Sequence, residues 1–279
     1  MVIRGCPQPR DTIDIVVDHQ CRAVYDYHAH TNYSDGRFMF RMARAAERAG
    51  LDGIGFTDHC TVTEREFRRE ERASYGFNLD ATYERRRQGI ESLREDADVA
   101  IYDAVEMDYH PDDEGEIADF LAEAGFDYAI GSVHELDDAN VQVPSNYVDR
   151  SDDELDRLVD EYFDHLVALI ESELFDIAAH VDLVERNPAL RGYATEDHYR
   201  AVAEAATDSR TKLELNAGRV LADYGEFHPN PSFLDVLAEY GVEFVPGTDS
   251  HDPTEVGERK EELEKFVAAH GLNTAGVSL

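Results

Sequence analysis

The feature that most constrains this chain is a repeated alternation along its whole length. Short β-rich runs at 23–27, 53–57, 99–105, 128–133, 175–179, 212–215 and 243–246 are separated by longer stretches with helical periodicity. Such alternation predicts a parallel sheet with helices outside it, because parallel strands need long crossover connections. About seven units without a break favour a closed or nearly closed α/β barrel. A doubly wound open sheet satisfies the same periodicity, which does not decide closure. Among the helical stretches, Phe38, Met42, Ala45, Ala46 and Ala49 share one face, and Gly50 suits the position just past the helix end. Ser151 and Glu154 read as a capping box that opens a long amphipathic helix carrying Leu155, Leu158, Tyr162 and Leu166. Pro231 opens another helix, which ends near Gly241.

A second pattern lies on top of the first. Each β run ends in residues able to bind a cation: His28 and His30 with Asp35, then Asp58 and His59, Glu106, His134, His180, and finally Asp249 and His251. In a parallel barrel the carboxyl ends of all strands converge on one face. Residues more than about 200 positions apart can then surround one point. Alternate side chains of an extended backbone share a face, so His28 and His30 point the same way, as do Asp249 and His251. Neutral imidazoles with carboxylates suit zinc, manganese or iron. A carboxylate such as Glu106 can bridge two such ions. Glu214 and Asn216, from the sixth run, are weaker candidates.

Taken singly, each signal has a bland reading. A lone His-x-His is more often an ordinary pair, Asp-His dipeptides are common in turns, and His134 could be a satisfied strand-end histidine. Six signals in register with the strand ends resist that reading, since burying so many polar groups without a ligand would cost several kcal/mol. Tyr27, Tyr33 and Asp58 are candidates to orient a ligating imidazole. Cys60 reads as a small buried filler. His110 and His228 could line the pocket, whereas His19, His165, His198 and His270 are expected at the surface.

Charge narrows the partners. The 279 residues carry 61 Asp plus Glu against 26 Lys plus Arg, a net charge of −35, and the only lysines are Lys212, Lys260 and Lys265. Acids spread along the chain read as adaptation to a salty, halophilic cytoplasm, where a Debye length of about 3 Å in molar salt screens the self-repulsion. The same surface makes nucleic acid an unlikely partner, since rows of cations against phosphates are missing. Cys6, Cys21 and Cys60 form neither a disulfide framework nor a zinc-ribbon pattern. No apolar leader core and no run of about 18 apolar residues occurs, so a cytoplasmic protein without membrane contact is expected. The oligomeric state is open.

The segments YDYHAHTNYSDG, GFTDHC, VEMDYH, GSVHEL, AAHVDL, LELNAG and GTDSHDP, in that order, resemble the successive motifs of the PHP (polymerase and histidinol phosphatase) superfamily. The histidinol-phosphatase branch is the nearest likeness, running from about residue 23 to about 260. The resemblance implies a distorted (β/α)7 barrel of TIM-like form, with parallel strands inside, helices outside and a centre of two or three divalent ions. His28, His30, Glu106 and Asp249 would hold the first ion. Glu106, His134 and His180 would hold the second, and Asp35, His59 and His251 the third. Glu106, Asp249 and His251 would be catalytic. Arg186 and Arg219 would clamp a phosphate through their bidentate forks, although either could equally be solvated or paired.

The expected domain spans 23–279, preceded by a 1–22 extension packed on the barrel. The expected activity is hydrolysis of a small-molecule phosphate ester, histidinol phosphate being a candidate, through water activated by the ions. A nucleotide or nucleic-acid phosphodiesterase and a catalytically silent metal-binding regulatory module are the alternatives.

Overall fold

A computed structural model describes residues 24–277. The 1–22 extension, with Cys6, His19 and Cys21, lies outside the described residues. Eight helices alternate with seven main strands: β1 (Tyr25–Ala29), α1 (Met39–Ala49), β2 (Gly53–Phe56), α2 (Glu66–Tyr75), α3 (Tyr83–Arg94), β3 (Ala100–Asp108), α4 (Glu114–Ala124), β4 (Tyr128–Ser132), α5 (Asp152–Glu171), β5 (Ile177–Ala178), α6 (Glu196–Asp208), β6 (Lys212–Asn216), α7 (Pro231–Glu239), β7 (Phe244–Gly247) and α8 (Pro253–His270). Every pairing among the seven is parallel and joins neighbours in sequence order. A two-residue strand, His59–Cys60, adds to β3 opposite Glu106 and Met107.

Closure, which periodicity left open, is resolved at the carboxyl end of the strands. There Ala29 bridges Ser250 in parallel, His30 N donates to Ser250 O at 2.9 Å, and Asp249 N donates to His28 O at 2.8 Å. At the other end of β7, the Asn273–Ala275 stretch pairs with Phe244. The sheet is thus a (β/α)7 barrel, pinned shut at the end where the donors gather. Among the described residues no helix is long and apolar enough to cross a membrane.

The helices form for reasons visible in their residues. Ser151 closes its capping box with Glu154, and α5 buries Leu155, Leu158, Val159, Tyr162, Leu166, Leu169 and Ile170. Asn230 caps α7 by accepting from the Ser232 and Phe233 amides. In α1, Met42, Ala45 and Ala46 are buried and Gly50 takes φ 70°. Phe38, expected on that face, instead precedes the helix and is 56% exposed.

Two strand bounds matter for the site. The third run continues to Asp108, so Glu106 lies within a strand rather than after it. In β1 the register slips between Asp26 and Ala29, adding one residue relative to β2. That bulge lets Tyr27, packed on Tyr128, and His28, in the donor cluster, both serve the barrel interior despite being consecutive.

Candidate metal centre

The histidines and acids at the strand ends do converge. Three groups of donor atoms lie within 4.8 Å of one another: His28, His30 and Glu106; His59, Glu106 and His134; and His30, Asp35, His59 and His251. Glu106 sits at the centre. Its Oε1 accepts from Ser132 Oγ at 2.7 Å and faces His180 Nε2 at 3.0 Å and His134 Nε2 at 3.6 Å. Its Oε2 stands 2.8 Å from His59 Nδ1, 3.4 Å from His28 Nε2 and 3.5 Å from His30 Nε2.

Although so closely surrounded, Glu106 Oε2 is buried without a well-formed hydrogen bond. An oxygen ringed by imidazole nitrogens that do not donate to it is the arrangement of a shared ligand to cations. The donor set of imidazoles and carboxylates is also the right chemistry for zinc-like ions.

Asp249 flanks this centre, its Oδ1 lying 3.4 Å from His30 Nε2 and 3.8 Å from His28 Nε2. On the solvent side, Asp35 Oδ1 is 3.2 Å from His251 Nε2 and 3.8 Å from His59 Nε2. His59 therefore addresses two groups with its two nitrogens. The second grouping departs from the family-based expectation, since it contains His59 and not His180. Arg186 and Arg219 line an open pocket of about 500 Å³ with Pro188, Arg191 and Tyr224, and Asp249 acts electrostatically on Arg186.

Local backbone explains how the donors fit together. Among five described non-glycine residues with positive φ, two are His180 at 29° and Asp249 at 49°, a strained setting that tends to mark functional positions. A Cβ on Gly247 would fall 1.9 Å from Glu214 Oε1, and one on Gly218 would fall 2.3 Å from Asp249 Oδ2. Both glycines are needed for this close approach.

Electrostatics say the same thing. Burial alone would raise the Glu106 carboxyl, but His59 and His28 beside it hold it well below the usual range. Burial would lower His59, yet Glu106 and Asp35 lift it to about 10. Burial, then His251 and His59, push His30 down to about 4. Without an ion the carboxylates draw protons onto some imidazoles and not others. The cage calls for positive charge.

Outer carboxylates orient the donors. Glu214 bonds His28 Nδ1 at 2.7 Å, and its other oxygen accepts from His180 N and Asn216 Nδ2. Glu214 is thus a support, not the ligand the sequence suggested. Asp108, passed over in the sequence, holds His134 Nδ1 at 2.7 Å. Its place two residues after Glu106 on the same strand was the available signal.

Several expectations are corrected. Asp58 touches no ligating imidazole; it accepts from Thr31 N, Thr31 Oγ1 and Ser34 Oγ and so ties down the turn carrying Asp35. Tyr27 packs on Tyr25 and Tyr128, and Tyr33 joins the main apolar core, so neither orients a donor. His110 accepts from Asp112 N and packs on His165, and His228 pairs with Asp182 at 2.6 Å. His165 and His198 are half-buried, not at the surface, and His198 bonds Asp160 at 2.9 Å. Cys60 is a buried free thiol, as expected of a filler.

Comparison with known proteins agrees with this geometry. A Deinococcus radiodurans protein named a probable histidinol-phosphatase is 29% identical over 238 residues, covering 83% of this chain and 87% of that one. The crystal structure of histidinol phosphate phosphatase from Lactococcus lactis, complexed with zinc, L-histidinol and phosphate, has a TM-score of 0.72 at 20% identity, covering 92% of this chain and 97% of that one. A Listeria monocytogenes structure has a TM-score of 0.66 at 19% identity, covering 84% and 97%. At such identities these structures speak for the fold. Residues 26–218 match the PHP domain model. That span is well over half the chain, which therefore belongs to the PHP domain family.

Proposed function

We propose that the chain is a phosphomonoesterase that hydrolyses a small-molecule phosphate ester, with histidinol phosphate the first substrate to test, using two or three divalent ions. The observation that carries this reading is Glu106 Oε2, buried among His28, His30 and His59 yet unbonded. The names of the Deinococcus and Lactococcus relatives support the ester class. His28, His30, Glu106 and Asp249 would hold one ion, Glu106, His134 and His180 or His59 a second, and Asp35, His59 and His251 a third. Zinc suits the donors, and manganese or iron are the alternatives.

Ions bound there supply Lewis acidity, acidifying water and offsetting charge on phosphoryl oxygens. The chain's own residues do the rest. Arg186 and Arg219 present guanidinium forks to the phosphate. Burial and the neighbouring Arg219 push Arg186 down to about 10, so it still arrives charged at neutral pH. Glu106 and Asp249 stay ionised and fix the donors, while His251, with Nε2 beside Asp35 and Nδ1 on the Asp249 carbonyl, is committed to the third group of donors, so the leaving alkoxide takes its proton from solvent. We further read 23–279 as one domain and the acid excess as suited to concentrated salt.

Phosphate release from histidinol phosphate, sugar phosphates, nucleotides and single-stranded oligonucleotides, measured in molar potassium chloride with added zinc or manganese, tests the reading. Turnover of a small monoester is expected, with loss in E106Q. Cleavage of oligonucleotides alone would replace it with the phosphodiesterase reading, and no turnover of any ester with ions bound would favour a silent module. Activity that is higher in dilute buffer than in molar salt would remove the salt adaptation.

A further inference from the structure

Arg68 lies on α2 and is only 2% exposed. Its Nε donates to Glu135 Oε2 at 2.7 Å and its Nη1 to Glu71 Oε2 at 2.5 Å, while Nη1 also stands 3.2 Å from Asp108 Oδ2. Asp108 holds His134 Nδ1 through its other oxygen, and His134 Nε2 faces Glu106. An unbroken chain of charged contacts thus runs from a buried guanidinium to an imidazole of the donor cage. Nothing in the run EREFRREER distinguishes Arg68 from Arg65, Arg69 or Arg72; only the fold does.

We infer that Arg68 is a positioning residue for the ion held at His134: it fixes the Asp108 carboxylate, which fixes the His134 nitrogen that carries the proton. This rests on the metal reading above. A carboxylate that accepts from Nδ1–H leaves the Nε2 lone pair aimed at the cage, and loss of such a partner typically costs about 10- to 100-fold in ion affinity. Asp108 could turn away from His134 if its second oxygen were free. The guanidinium removes that freedom.

A planar fork can meet Glu135, Glu71 and Asp108 at once, which a lysine point charge cannot. Arg65 reinforces the arrangement from outside, gripping Glu135 and reaching Asp113 at 3.0 Å. Arg68 also borders a pocket of about 340 Å³ beside His59, Asp108 and His134. Direct contact with the ester is therefore the competing role.

The test titrates metal-free wild type, R68K, R68M, D108N and the R68M/D108N double variant with cobalt(II), reading the absorption spectrum and the ions retained per chain after dialysis. R68K is expected to weaken one class of site by about 10- to 100-fold, with an altered cobalt spectrum. R68M and D108N should each do at least as much, and the double variant no more than the worse single one. A purely structural role would leave the spectrum of the folded protein unchanged. If R68M does not fold, R68K against D108N carries the same comparison. Wild-type cobalt affinity and spectrum in R68K, with the effect confined to KM, would overturn the inference and make Arg68 a substrate contact. Wild type that takes up no cobalt would instead overturn the metal reading itself.

Discussion

Two sets of arginines in this molecule meet opposite fates. Arg86, fully buried on α3, is enclosed by acids: it donates to Asp58 at 2.9 Å, to Asp103 at 2.7 Å and to the Ala104 carbonyl. Arg68 is similarly enclosed. Arg186 and Arg219, at the mouth of the barrel, make no ion pair with a carboxylate of any described residue. In a chain with 61 acids that is a telling difference. Cations already surrounded by carboxylates hold the scaffold, and cations left unmatched beside an acidic cage are available to an incoming anion. Charge type alone does not separate the two roles; their neighbours do.

The sharpest way to break this comparison is to remove an enclosed guanidinium. R86M leaves Asp58 buried without its countercharge and takes from Asp103 one of its two arginine partners, and it should cost about 3–5 kcal/mol in denaturant unfolding. A stability loss near zero would mean that the enclosed set is not structural. R186M is expected to do the reverse, reducing kcat/KM by about 100-fold with an unchanged melting temperature; equal losses of stability and turnover would merge the two sets. R219M should follow with a loss of about 10-fold in kcat/KM, and unchanged steady-state kinetics would remove it from the clamp. Last, R157A on the outer face of α5, which breaks the Arg157–Glu161 pair at 3.2 Å, should change neither melting nor turnover. Any measurable shift there would blur the distinction between surface and interior.

The sequence carried the donors because their signal is local. Two-residue spacing on a strand fixes a common face, and strand ends fix a common side, so His28, His30, Glu106, His134 and Asp249 were legible without coordinates. Strand–helix alternation gave the layers but not the closure, because the Ala29–Ser250 bridge joins segments that no window of residues sees together. The outer carboxylates were harder. Asp58 has the position to orient an imidazole, but its oxygens accept from Thr31, Ser34 and Arg86 instead. Glu214 reads as a ligand from sequence because side-chain type cannot tell an inner carboxylate from one a layer further out. Arg68 and Arg86 were invisible: one arginine among many on acidic, arginine-rich helices has no pattern until the fold supplies its partners.

The single bridge between the first and last strands also bears on how the molecule holds together. His28 and Asp249 sit on opposite sides of that junction, about 220 residues apart along the chain. A cation gripping both would act as a clasp across the join, opposing the loop entropy that would otherwise favour parting there. Stripping the ions should therefore loosen β1 from β7 first, with amides near His30 and Asp249 exchanging with solvent well before those buried under α5.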